Sequence, residues 1–257
     1  MNMTSLSKTD RGALLLMSSG SEEDKKLVGR VVPVNQLDDG IRDSMYALMH
    51  QFYFVERPSF FNDLANKSAV VLLEDSSGVL RGFTSVVLFD LNIDRQTLKI
   101  LFSGDTIIHP DFWGSLELPR VWGKFMYETL HKCGETPLYW FLISSGYKTY
   151  RFLPAYFNEF FPRHDCETPP EMRKIVDAAA IKLFNSAYDA SRGIIRLENP
   201  TPLRAGISDP AKERQANQHI AFFLAKNPGH DVGDELACIA RLHLDNFKPY
   251  VRRLLKI

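Results

Sequence analysis

Cysteine is scarce and unpatterned. Only Cys133, Cys166 and Cys238 occur, far apart along the chain. So sparse and odd a set offers no disulfide framework and no zinc-type ligand spacing, and it suits a reducing compartment. Neither sign of charge is in excess, since 31 Lys and Arg balance 31 Asp and Glu. That balance removes the electrostatic footprint of a nucleic-acid binder or of a protein held on an anionic membrane. No apolar run reaches the length of a membrane span. The run at residues 13–17 is short for a secretory signal and is followed at once by polar, charged sequence. Residues 1–26 therefore read as a partly disordered leader, and the protein as cytoplasmic. Repeats, low-complexity tracts and Walker-type phosphate loops are also missing.

What is present suffices for a large core: 257 residues, 45% of them hydrophobic. Residues 27–34 are β-branched and read as a first strand. Ile41, Met45, Leu48, Met49 and Phe52 then share one helical face behind Asp38 and Asp39, and Pro58 opens a second short helix. Residues 69–73, 79–88 and 97–108 read as three strands of an antiparallel meander. An amphipathic helix starts near Leu118 and ends at Gly134, and the fully apolar run 138–143 reads as a central strand. Residues 147–161 read as a helix kinked or restarted at Pro154. Beyond a connection around Cys166 comes a helix with Met172, Ile175, Val176, Ala179 and Leu183 on one face. Residues 193–197 and 219–224 read as strands, 199–210 as a Pro/Gly-rich loop and 235–242 as strand or helix. Residues 247–255 read as a basic terminal helix.

The junction in the middle of the chain carries a family signature. Ile108-His109-Pro110-Asp111-Phe112-Trp113-Gly114 resembles the hydrophobic-His-Pro-Asp-aromatic-Arg-Gly stretch that ends the fourth strand of the GCN5-related N-acetyltransferases. The resemblance covers residues 27–162. It implies an α+β fold: a mixed, centrally antiparallel twisted sheet flanked by helices. Residues 163–257 would be a C-terminal extension packed on the same sheet. In that family the fourth and fifth strands splay apart, and the pantetheine arm of an acyl-CoA enters the gap. Ile107, Ile108 and Ser144 would line that gap, and Trp113, Gly114 and Ser115 would face the donor. The family's loop, Arg/Gln-x-x-Gly-x-Gly/Ala, is not kept: Trp113, Leu116 and Leu118 stand at its fixed positions, beside Glu117. Those side chains obstruct a pyrophosphate, and Glu117 repels it. Similar losses fit the relatives that take an acyl group from a carrier protein, such as the N-acyl amino acid synthases and acyl-homoserine-lactone synthases.

Acyl transfer to an amine needs a group to take the amine proton, donors to polarise the thioester carbonyl and an acid for the departing thiolate. Asp105 interrupts an apolar strand just before the expected splay and is the candidate base, or else an outward-facing residue at a bulge beside Gly104. The family's acid tyrosine precedes a Gly-Phe pair by about four residues. Phe160-Phe161 stands at that pair, which puts the acid at Tyr156, with Tyr150 behind it; the other reading is that Tyr147, Tyr150, Tyr156 and their Phe neighbours are an aromatic packing cluster. Glu56, Tyr139 and Tyr150 are the candidate substrate contacts. Phe102, Phe112, Trp113, Tyr139, Trp140 and Phe141 would suit a long acyl chain or simply fill the core. His164-Asp165-Cys166 reads as a surface loop. The expected activity is transfer of an acyl group from acyl-CoA or an acyl-phosphopantetheine, as co-substrate, to a small-molecule amine, with no tightly bound cofactor and no metal. Lys248, Arg252, Arg253 and Lys256 would meet an acidic acyl-carrier protein. The rival reading is a binding protein of the same fold that lost catalysis with its phosphate loop.

Overall fold

The computed structural model describes residues 26–197 and 217–257. The expected leader, apart from Lys26, and the expected loop at 199–210 lie outside those residues. In chain order come β1 (Leu27–Pro33), α1 (Asp39–Phe52), α2 (Arg57–Ala65), β2 (Ala69–Asp75), β3 (Leu80–Ile93) and β4 (Gln96–Ile108). They are followed by α3 (Glu117–Cys133), β5 (Leu138–Ser144), α4 (Tyr147–Tyr150), α5 (Phe152–Tyr156), α6 (Pro170–Phe184), β6 (Tyr188–Asp189) and β7 (Ile194–Ile195). Then come α7 (Gln218–Lys226), β8 (Glu235–Leu242) and α8 (Pro249–Leu255).

The described strands form one mixed sheet in the order β1-β2-β3-β4-β5-β8-β7-β6. Every neighbouring pair is antiparallel except β4 and β5. This is the α+β fold expected: a centrally antiparallel sheet with helices on both faces. Alternation along the strands sets the layers. Leu101 of β4 and Trp140 of β5 face one side, where α3, α4, α5, α7 and α8 cover them. Ile100, Phe102 and Phe141 face the other side and pack on α6. Val70, Leu72, Phe83 and Ile107 pack on α1 and α2, on that same side. β5 is apolar throughout because both its faces are covered.

Local chemistry explains most element boundaries. Asp38 caps α1, its carboxylate accepting the Ile41 N–H at 2.7 Å. The β3–β4 turn is tighter than the polar connection expected over 92–96. Ile93 pairs with Gln96, and Asp94 and Arg95 both adopt left-handed φ of 51° and 67°. That geometry matches the right-handed twist of the hairpin, at the expense of placing two non-glycine residues at positive φ.

Two expectations need correction. Residues 219–224 are helical, in α7, not a strand. Asn217 caps α7 by accepting the N–H groups of His219 and Ile220, and Ile220 and Phe223 turn inward. The helix expected over 147–161 with a kink or restart at Pro154 is two short ones, as Pro154 has no N–H to give the carbonyl of Tyr150, and the second stops at Tyr156 rather than running to 161.

Candidate active site

β4 and β5 pair only from Lys99 with Leu138 to Ser103 with Leu142. Beyond that point β4 stays with β3 through residue 108, while Ile143 and Ser144 pair with β8 alone. The two strands therefore diverge, and a gap opens between residues 104–108 and the end of β5. A β-bulge marks the divergence. Phe83 pairs with Ile107 but Ser85 pairs with Gly104, so β4 carries one extra residue. Asp105 sits in the bulge at φ 41°. A carboxylate held in the left-handed region is strained, and such strain persists where surrounding contacts over-determine it. Here Thr84 Oγ1 donates to the Gly104 carbonyl at 3.1 Å and Ser85 Oγ donates to Asp105 at 2.9 Å.

Charged groups collect at this bulge. The largely buried Lys67, from the turn between α2 and β2, reaches Asp105 at 3.6 Å and Asp63 of α2 at 2.9 Å. Burial opposes the Lys67 charge, but Asp105 and Asp63 outweigh it and push the ammonium up. Asp63 is raised to about 6, first by loss of water and then by Asp105. Glu235, the first residue of β8, is raised to about 8 by burial and by the Asp105 charge. The Ser145 N–H, just past β5, works against that shift. Tyr53, ending α1, is pushed up by burial and by Glu235 and Asp105, so its phenol stays protonated. Titratable groups from α2, β4 and β8, and from Tyr53 just past α1, thus act on one another around the bulge. Glu235 and Tyr53 are not readable locally. Their partners lie far along the chain, and only the sheet order joins them.

The loop after β4 closes over the same region. Trp113 Nε1 donates to the Ile108 carbonyl at 2.8 Å, and the Lys148 ammonium stands 3.1 Å from the Trp113 ring centroid. Gly114 takes φ 118°. Ser115 Oγ accepts the Glu117 N–H at 3.2 Å. Glu117, first residue of α3, is itself buried. Its carboxylate accepts the Gly29 N–H at 2.8 Å and both donors of the Arg120 guanidinium at 2.8 and 2.9 Å. The positive end of α3, the natural seat of an external anion, faces an internal one.

The expected site residues divide. Asp105, Trp113 and Ser115 stand at the gap or its loop. Ile107 packs into the core over α1 and α2. The Ser144 hydroxyl donates to the Gly146 carbonyl at 2.7 Å, and the Ser144 carbonyl accepts from Asn227 at 3.3 Å. Tyr156 lies in the core on the α3 side of the sheet, its hydroxyl donating to the Pro119 carbonyl. Asp105 reaches Lys67 on the opposite side, so the structure does not bring the two expected catalytic residues together. Tyr150 is buried with its hydroxyl on the Pro162 carbonyl at 3.0 Å. Tyr139 faces α6 at the paired end of β5, opposite Ile100. Glu56 is exposed at the start of α2.

The aromatic side chains expected to suit an acyl chain largely fill the core. Phe102 packs tilted on Phe141 with ring centroids 5.8 Å apart, and the Trp140 ring lies 5.7 Å from those of Trp122 and Phe157. A separate groove of about 540 Å³ runs between α1 and the β2–β3 turn, with His109 among its lining residues. Among the described residues no three His, Cys, Asp or Glu side chains converge as metal ligands, and no helix is long and apolar enough to cross a membrane.

No protein-family model matches the sequence, and neither does any curated protein. Solved structures give partial likenesses. A conserved protein of unknown function from Enterococcus faecalis aligns with 52% of this chain and 33% of its own length, at 13% identity and a TM-score of 0.40. A GCN5-related N-acetyltransferase from Kribbella flavida aligns with 88% of this chain and 67% of its own, at 9% identity and a TM-score of 0.40. The Saccharomyces cerevisiae N-myristoyltransferase with bound myristoyl-CoA aligns with 66% of this chain and 44% of its own, at 13% identity and a TM-score of 0.35. This chain spans a third of the Enterococcus protein and under half of the yeast one. Likeness at this level leaves the reading of the site to its own geometry.

Proposed function

We propose that this protein transfers an acyl group from a thioester to the amine of a small molecule. The observation that carries the reading is the divergence of β4 and β5 beyond Ser103 and Leu142, with carboxylates and a protonated phenol at its floor. A thioester laid in the gap meets unpaired strand edges that can polarise its carbonyl. The amine nitrogen forms the new N–C bond and loses a proton to a carboxylate. The C–S bond breaks, and the thiolate leaves with its electron pair and takes up a proton. Tyr53 serves as the hydrogen-bond donor to that thiolate, a role the sequence motif had put on Tyr156.

The donor in this reading is an acyl-phosphopantetheine arm, on a carrier protein or on CoA, and the pyrophosphate of CoA gains nothing at α3. Glu117 already supplies the negative charge there. Arg253 and Lys256, exposed around the end of α8, are the surface offered to an acidic carrier. The reaction takes place in the cytoplasm, in keeping with three free cysteines.

The test is thiol release from acyl-CoA, acyl-pantetheine and an acyl-carrier protein of matched chain, each with a mixture of primary amines. We expect release with the pantetheine arm alone and no more than a few-fold advantage for CoA. Release with no donor would overturn the reading. Retention of an acyl donor without turnover, seen by intact mass, would favour the binding protein that the filled α3 N-terminus also fits.

A further inference from the structure

We propose that Glu235, supplied by the C-terminal strand β8, is the group that takes the amine proton, and that Asp105 and Asn227 are its electrostatic and positioning partners. This rests on the acyl-transfer reading. The carboxylates at the gap are not equivalent. Asp63 pairs with Lys67 at 2.9 Å and is half exposed. Asp105 is held by Ser85 Oγ at 2.9 Å and by the same lysine at 3.6 Å. Both contacts fall on one oxygen, Oδ2, and the lysine is shared with Asp63. Glu235 receives the Ser145 N–H, and what faces it is a like charge, Asp105, with the Tyr53 phenol of α1. The buried Cys238 thiol lies further along β8 and is pushed up by burial and by Glu235. Arg196, just past β7, is taken up by Asp234 at 3.2 Å and Asp189 at 3.3 Å. Asp63 and Asp105 share the Lys67 ammonium, whereas among the described residues Glu235 has no ion pair, which leaves its carboxylate ready to accept a proton.

Position agrees with charge. Ser144 pairs with Leu236, so Glu235 stands one residue past the end of the β5–β8 ladder, on the side where β5 has left β4. Asn227 locks it there. Its side chain, fully buried, donates to the Ser144 carbonyl at 3.3 Å and to the Asp234 carbonyl at 2.8 Å. One amide thus ties the end of β5 to the residue before Glu235. In the step itself the amine N–H bond breaks, its proton passes to a Glu235 oxygen, and the nitrogen pair forms the N–C bond as C–S opens.

Two measurements test this. The first is the pH profile of kcat/KM for thiol release. We expect activity to rise with pH through an inflection near 8, the value to which Glu235 is raised. Glu235→Gln should abolish that limb and cut kcat about a hundredfold or more, with donor KM little changed. Glu235→Asp should keep the limb at reduced kcat. Asp105→Asn should move the limb to lower pH. A Glu235→Gln enzyme within about threefold of wild type with the limb intact would overturn the assignment. The second measurement needs no turnover: the Glu235 carboxyl is titrated in the resting protein by carbon-13 NMR, using Glu235→Gln to assign it. A midpoint in the ordinary carboxylate range would overturn the assignment even if acyl transfer is observed. A midpoint near 8 with no thiol release from any donor would instead count against the acyl-transfer reading.

Discussion

Glu117 places a carboxylate in the first turn of α3, where a helix end favours negative charge, and pairs it with Arg120 of the same turn. It also satisfies the N–H of Gly29. Glu117→Ala should therefore lower stability by about 1–3 kcal/mol in urea denaturation, the penalty of stranding a part-buried donor, while Glu117→Gln, which keeps an acceptor, should lose clearly less. Glu235 makes stability depend on pH. Its value in the folded protein, about 8, lies above the ordinary 4.5. Between those limits the folded protein holds a proton that the unfolded chain has released. The stabilisation is complete below 4.5, declines by at most about 1.4 kcal/mol per pH unit, and is gone above 8. Asp63 acts in the same direction between 3.8 and about 6. Urea midpoints should fall from pH 5 to pH 8.5, and Glu235→Gln should flatten most of that fall. Asp105 stood out as a charge inside an apolar run, which reads equally as a base or as a bulge residue beside Gly104, and the bulge is there. Glu235 was not legible, because a glutamate opening a strand is unremarkable until Asp105 and Ser145 are placed beside it.

At the scale of elements, two glycines mark close approaches of different kinds. A Cβ on Gly82 of β3 would stand 2.9 Å from the Ile107 carbonyl oxygen, which is backbone. A Cβ on Gly123 of α3 would stand 2.7 Å from a terminal carbon of Leu255, a side-chain end that can turn away. Gly82→Ala should lower stability by about 1–3 kcal/mol, since relief there means moving β3 from β4. Gly123→Ala should lie within about 1 kcal/mol of wild type, because better helix propensity offsets the crowding. Thermal denaturation of the two variants side by side decides it. The elements readable from sequence were those with a strong period or cap. α1 shows its apolar face and Asp38, and β5 its unbroken apolar run. α7 was misread because HIAFFL is apolar on consecutive positions, which a strand buried on both faces also shows. The Asn217 cap was the signal that distinguishes them.

At the scale of the molecule, the resemblance over residues 27–162 stops in the middle of the sheet. β8 pairs with β5 along its whole length, from Leu138 with Leu242 to Ser144 with Leu236. A chain ending at residue 162 would leave a long apolar edge strand and uncover cores on both faces. It should be insoluble or run as aggregate on size exclusion, where the full chain elutes as a defined species. That residues 163–257 extend the sheet was one expectation and that they cover the acyl pocket was the other; which strand they join was not legible, because a strand's partner in a mixed sheet is not written in its own residues. The tryptophans offer an optical consequence. Trp122 and Trp140 are each 3% exposed, whereas Trp113 sits half-buried over the gap with its indole on the Ile108 carbonyl and an ammonium on its face. A molecule threading between β4 and β5 must disturb that indole first. Its emission colour and brightness should change on mixing, whereas a Trp113→Phe protein, emitting from Trp122 and Trp140 alone, should show little change on the same addition. The chain thus carries its own fluorescent gauge of whether the gap is filled.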